Sequence, residues 1–422
     1  MVDHDVQPGI LERCQVCGCE DLELVIDLGH QPLCDSLLTE ERLNEPEIFY
    51  PLRLFRCPRC TLTQLDHVVD GSTVYAPDYP YRSGITKELR VYQEAFADSV
   101  IERIGLPEGS LCVDVGSNDG TLLSGFKKRR MTALGVEPTN IAAIARAENG
   151  IETIQSFFTE AVARDIRAEH GPAKVITTTN VFAHMAPLGE VMRGICALLD
   201  TDGVFITESH YLLDVLKGAQ YDTVYHEHIR TYSLKSLVTL FEYYDLDVFD
   251  VQRADRYGGN IRAYVARKGT RPVSSSVADL LKLEAAEGLA DAETYTAFRD
   301  NAHRTRDELM EFAYRTRRQG QRLVGNSCPG RCATLLNFCG MKPDLLPYLA
   351  EQPTSLKLGM YLPGLHQPIV ENSILIDEQP DYVLLLAWHY AKPITEQLRE
   401  RGLKSTFLMP LPSFEVLQEH AR

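Results

Sequence analysis

The chain has 422 residues, 44% of them hydrophobic and 24% charged, with a formal net charge of −16. That length exceeds one ordinary core and predicts two or three domains. The acidic balance argues against a nucleic-acid partner, and no run reaches the roughly 20 apolar residues of a membrane span. A small anionic ligand stays compatible, because a few local Arg or Lys residues suffice. The start, Met1-Val-Asp-His-Asp-Val, is acidic and lacks a signal-peptide pattern, so the expected location is cytoplasmic.

Residues 1–70 carry Cys14-Gln-Val-Cys17 and Cys57-Pro-Arg-Cys60. Two such knuckles supply four thiolates, enough to close a tetrahedral zinc site with no open position for water. The metal is therefore expected to be structural. The cysteine count of 11 is odd, and without an export signal metal binding is favoured over a disulfide framework. The alternative is a set of reduced surface thiols. Cys19 and His30 are further candidate ligands, and Cys34 stands alone.

Residues 71–270 read as a second domain. Its entry loop, residues 75–86, is dense in aromatics and hydroxyls, with Tyr79 and Tyr81 as candidates for either chemistry or interdomain packing. A helical pattern over 87–108 leads to Leu111-Cys-Val-Asp114-Val-Gly116-Ser-Asn118-Asp119-Gly120. A buried strand feeding a glycine turn and then a helix opens a doubly wound α/β sheet. Such a turn lets a ligand approach the backbone at a helix N-terminus. The next strand ends at Glu137, 21 residues after Gly116, where a carboxylate can take both hydroxyls of a ribose. An Asp-x-Gly turn followed by this acid resembles the cofactor turn of S-adenosylmethionine (SAM) methyltransferases. The other reading is an ordinary turn in a nucleotide-free α/β domain. Further strands are expected near 151–155, 174–179 and 203–208, with Phe157 or Phe158 near an adenine ring. Asp114, Glu137, Asn180, His184 and Glu208 should then converge at the carboxyl ends of the strands.

After the fifth strand comes Tyr221-Asp-Thr-Val-Tyr225-His226-Glu227-His228-Ile-Arg-Thr-Tyr232, poor in apolar residues and rich in groups that titrate or donate. Read as extended chain, His226 and His228 share one face and Glu227 the other. Metal binding by His-x-His lacks an evident third ligand, so acid/base chemistry is favoured. Two strands fill 245–267. Residues 271–310 form a helical connector, and 311–422 repeat the strand, glycine turn and helix plan from Gln321 to Asn337.

Together these motifs, with Gly135-Val-Glu-Pro138 and Tyr361-Leu-Pro-Gly364-Leu-His366, resemble the sugar C-methyltransferases that act on nucleotide-linked 4-keto-hexoses. The resemblance implies an N-terminal zinc-binding domain, a central SAM-binding Rossmann-like domain and a C-terminal Rossmann-like domain. It implies His228 as catalytic base, with Tyr225 and Glu227 around it and His184 and Tyr79 or Tyr81 as further active-site positions. His184 is the second-choice base. The implied cofactor contacts are Asp114, Gly116, Asn118, Asp119, Gly120, Glu137, Phe157 and Asn180. Arg331, Tyr361 and His366 would contact the nucleotide-linked keto-sugar. Two departures stand out: Cys328-Pro-Gly-Arg331-Cys replaces the family's Gly-Ala-x-x-Lys-Gly turn, and His210 stands where Pro is commoner. The expected reaction is SAM-dependent C-methylation, at C3, through an enolate. Rival readings are an N- or O-methyltransferase, an NAD(P) dehydratase or epimerase, and a non-catalytic zinc module. Oligomeric state is not legible.

Overall fold

The computed structural model describes residue 2 and residues 4–75 and 82–417. Tyr79 and Tyr81 lie outside the described residues. The architecture is α/β, built on three principal sheets.

The central sheet has seven strands in the order Leu246–Ala254, Asn260–Arg267, Leu199–His210, Ala173–Thr179, Leu111–Val115, Thr132–Val136, Glu152–Ile154. The last five run parallel to one another, and Asn260–Arg267 is antiparallel to both neighbours. Every residue of Leu111–Val115 is buried, as a strand covered on both faces requires. The chain moves from this strand to one side first and later to the other. Its carboxyl end therefore marks a switch point, where open α/β sheets hold ligands. Helix Lys87–Ile104 starts on the Thr86 side chain and stops at Gly105 in the left-handed conformation, an ordinary cap at each end.

The cysteine knuckles sit beside an antiparallel sheet ordered Arg230–Thr231, Thr63–Leu65, Tyr50–Arg56, Glu23–Gln31. Its edge strand comes from the Tyr-His-Glu-His region, more than 160 residues later in the sequence. The third sheet runs Ile369–Glu371, Leu349–Glu351, Leu323–Asn326, Tyr382–Leu385, Thr406–Met409, Glu415–Leu417, parallel except for the last strand. Helices Ser275–Ala286 and Ala292–Arg318 lead into it, the second running unbroken past residue 310. Among the described residues no helix is long and apolar enough to cross a membrane.

The three parts meet through polar seams. The Leu38 and Tyr361 backbones exchange two hydrogen bonds, of 3.0 and 2.9 Å. His366 Nε2 lies 2.6 Å from Glu47 Oε1, and the same carboxylate accepts from the Gly364 N–H. Lys357 Nζ pairs with Asp35 Oδ1 at 2.8 Å.

Candidate active site

The four knuckle cysteines are buried and their sulfurs lie within 4.8 Å of one another. Cys14 Sγ is 3.5 Å from Cys60 Sγ and Cys17 Sγ is 3.4 Å from Cys57 Sγ. A tetrahedron with Zn–S bonds of about 2.3 Å needs sulfurs at about 3.8 Å, so the donor set fits zinc. Cys19 and His30 are not members of the cluster. Cys34, expected to stand alone, instead groups with Asp35 and Glu227, its Sγ 3.6 Å from Glu227 Oε1. No histidine belongs to a metal-capable group among the described residues.

At the switch point Gly116 has φ 71° and Gly120 φ 75°, a conformation that costs glycine little. A Cβ on Gly116 would fall 2.6 Å from the Val181 side chain, so the turn abuts the loop after the Ala173–Thr179 strand. Glu137 accepts from the Asn118 N–H at 2.9 Å, and from the Thr139 N–H and hydroxyl at 3.0 and 2.7 Å. Asp114 is fully buried and accepts from the Thr177 hydroxyl at 2.6 Å. Burial pushes its pKa up to about 7, against the pull of that hydrogen bond. Asn118 and Asp119 turn the other way: their side chains accept from Ser83 and Gly84 and fasten the end of the aromatic loop to the turn. Phe157 is half exposed beside Gly71, while Phe158 is buried.

Not all the expected acids converge. Glu208 is fully buried in the sheet, accepting from Tyr92, Arg262 and Asn260. Its pairing with Arg262 neutralises it inside the fold. Asn180, at φ 53°, accepts from the Asn260 amide, and its N–H donates to the Glu208 carbonyl.

The Tyr-His-Glu-His run is a tight turn and not the extended stretch expected from its alternation. The His228 N–H donates to the Tyr225 carbonyl at 2.8 Å, which reverses the chain and brings the two rings to 3.9 Å between centroids. Three directions result. His226 Nε2 meets the Pro51 carbonyl, Glu227 meets Cys34, and His228 enters a cluster of rings. His184 and His210 each lie 4.9 Å from His228, centroid to centroid, and Tyr75 stacks on His184 at 6.4 Å. The His228 Nδ1–H donates to the Thr223 carbonyl at 2.7 Å. A carbonyl can only accept, so the proton is held on Nδ1 and the Nε2 lone pair is left available. Burial, with His184 and His210 alongside, pushes His228 well below the ordinary imidazole pKa. Burial and Arg230 lower His184 to about 3. The cluster is therefore neutral near pH 7. Burial keeps the Tyr225 and Tyr75 phenols protonated, and both feel the charge of Glu227.

Arg331 is buried and partnered: Asp222 at 3.3 Å, Gln220 at 3.1 Å and His389 Nδ1 at 3.1 Å, with Trp388 Nε1–H also donating to Asp222. Tyr361 and His366 belong to the seams already described. Sequence reading passed over Tyr75, Tyr257 and His389, and recorded His210 only as a departure. Tyr257 lies 6.1 Å from His210 and 6.4 Å from His389, centroid to centroid. Nothing local distinguishes these residues, because tertiary packing assembles the ring cluster from six separate segments.

Residues 14–75 match the family described as "Putative zinc binding domain", 89–251 the family "Methyltransferase domain", and 255–412 the family "C-methyltransferase C-terminal domain". The C-methyltransferase NovU of Streptomyces niveus is 35% identical over 412 residues, covering 96% of this chain and 97% of that protein. Solved structures similar to parts of the chain include a SAM-dependent methyltransferase from Anabaena variabilis ATCC 29413. It has 14% identity and a TM-score of 0.35, over 42% of this chain and 86% of that one. Another is magnesium protoporphyrin IX methyltransferase (ChlM) from Synechocystis PCC 6803, with 12% identity and a TM-score of 0.35 over 44% and 90%. Identity sustained along nearly the whole of both NovU and this chain, with three matched segments running from 14 to 412, is decisive: the chain belongs to the SAM-dependent C-methyltransferase family.

Proposed function

We propose that this enzyme methylates C3 of a nucleotide-linked 4-keto-hexose through an enolate, with His228 as the base. The observation that carries the reading is the state of His228: neutral, its Nδ1–H committed to Thr223, its Nε2 lone pair available, and its ring 4.9 Å from His184. A saturated sugar carbon becomes a nucleophile only after an acidic C–H is removed, and a carbon next to a ketone supplies one. Family membership calls for carbon alkylation, and a neutral imidazole is the group suited to that proton transfer near pH 7. His228 Nε2 takes the C3 proton. The Tyr225 phenol, held protonated, donates to the developing enolate oxygen, with Tyr79 or Tyr81 sharing that role. SAM, when bound against Gly116–Gly120, supplies an electrophilic methyl group. Asp114 and Glu137 would hold its polar groups on the turn shaped by Asn118, Asp119 and Gly120, with Phe157 and Asn180 as further contacts. Glu227 orients the sugar or its neighbours from beside Cys34, and His184 packs against the base. Arg331, neutralised by Asp222, contributes shape and hydrogen bonding near the substrate. Tyr361 and His366 act indirectly, through the seam they form with Leu38 and Glu47.

The test is exchange in heavy water with S-adenosylhomocysteine present and no methyl donor. Wild type should place deuterium at C3 of the keto-sugar. His228→Asn should lose exchange and methylation by at least about 10²-fold while still binding SAM. Exchange that survives in His228→Asn and disappears in His184→Asn would move the role to His184.

A further inference from the structure

Arg230 is among the largest fully buried side chains of the described residues, yet the groups that accept from it, on Gln15, Phe182 and Met185, are all uncharged. An arginine held in the interior without an anion is costly. Its Nη1 donates to Gln15 Oε1 at 2.6 Å, and Gln15 lies inside the first zinc knuckle, between Cys14 and Val16. Its Nη2 donates to the carbonyls of Phe182 and Met185, which bracket His184. Two residues before it in the chain is His228. The Ile229 carbonyl accepts from Leu65 N–H at 2.8 Å, and Arg230–Thr231 pairs with Thr63–Gln64 of the zinc-side sheet. Burial lowers the Arg230 pKa below the usual guanidinium range, and the neighbouring Tyr232 phenol and, less strongly, the Cys14 sulfur oppose that shift.

We infer that Arg230 is the buried counter-charge of the zinc tetrathiolate and a positioning residue that couples this metal centre to both active-site histidines. Four thiolates around Zn²⁺ leave two net negative charges in a buried setting, and the guanidinium answers part of that charge. Its planar fork then transmits the position of the knuckle: one arm is on Gln15, and the other is on the turn that carries His184. Zinc is thus structural in its coordination and still bears on the geometry of the base. This inference rests on the reading of His228 and His184 as active-site groups only for its consequence in catalysis. Its geometry stands on the contacts alone.

The experiment uses the zinc-loaded full chain with no sugar substrate, so its outcome is independent of the substrate assignment. Zinc release to a chromogenic chelator, SAM binding by calorimetry, and ¹⁵N resonances of the imidazoles are measured in wild type, Arg230→Met, Arg230→Lys and Gln15→Ala. Arg230→Met should release zinc at least about tenfold faster and shift the His184 and His228 resonances, with SAM affinity within about twofold. Arg230→Lys keeps the charge without the fork: zinc release should stay near wild type while the His184 resonance still moves. Gln15→Ala should shift the same two imidazoles without touching a metal ligand. If Arg230→Met does not fold, Arg230→Lys and Gln15→Ala decide the matter. Wild-type zinc release in Arg230→Met would overturn the counter-charge. Unmoved imidazoles in Arg230→Lys and Gln15→Ala would overturn the coupling.

Discussion

His184 and His228 hold folded-state pKa values far below an ordinary imidazole, chiefly because each is buried. The unfolded chain binds protons near pH 6.5, and the folded chain does so only at much lower pH, about 3 for His184. Their contribution to stability is therefore complete above pH 6.5 and is lost as the pH falls from there toward 3. Denaturant unfolding at pH 7.5 and 5.0 should show a loss at the lower pH of up to about 2 kcal/mol from each such group. His184→Asn should narrow that difference. Asp114 has the opposite sign. Its raised pKa means that ionisation opposes folding as pH rises from 3.8 through about 7. Asp114→Asn should accordingly raise the melting temperature of the ligand-free protein at pH 8 by about 2–4 °C while weakening SAM binding. Glu137→Ala should raise the SAM dissociation constant at least about tenfold, roughly 1.4 kcal/mol, by calorimetry.

At the scale of elements, short turns do the positioning. The glycine turn, proposed above to hold the cofactor, is also an anchor: its Asn118 and Asp119 side chains hold Ser83 and Gly84. A Cβ at Gly84 would fall 2.6 Å from Asp119 Oδ2, and Asp119 is buried with no room to yield. Gly84→Ala should therefore cost about 1–3 kcal/mol of stability and lower SAM affinity, while zinc content stays unchanged. Retained SAM affinity in that variant would separate the aromatic loop from the cofactor site. The Tyr225–His228 turn works similarly. One backbone hydrogen bond sends three neighbouring polar side chains toward three different partners, which a strand cannot do with its two faces.

On the scale of the molecule, the sheet beside the cysteine cluster takes its edge strand from the segment next to the proposed base, so the two share backbone hydrogen bonds. Cys14→Ser should yield a poorly stable protein with little zinc, since structural metal binding is itself folding free energy. Full zinc occupancy in that variant would remove Cys14 from the ligand set. The seam between Glu47 and His366 predicts a milder effect: Glu47→Ala should increase proteolysis between the N-terminal and C-terminal parts without changing zinc content.

Local pattern alone was enough for the knuckles, the strand ending at Asp114, the glycine turn, the acid at Glu137 and the order of the α/β elements. Each of these is written in spacing and periodicity within a few residues, and thiolate pairs and glycine turns have few alternative uses. The polar run at 221–232 also stood out, and His228 within it came from the family resemblance; the run's density of polar groups argued against a core position, yet the fold buries most of it. Only the tertiary structure decided what surrounds it. Glu208 reads as a crevice acid until Arg262 and Tyr92 are seen to enclose it. Cys34 reads as isolated until Glu227 and Asp35 are brought to it. Tyr75, His210 and Arg230 acquire roles only from residues distant in the chain. Burial, charge pairing and ring contact are properties of assembled surfaces, and periodicity within one segment carries no record of which other segment will cover it.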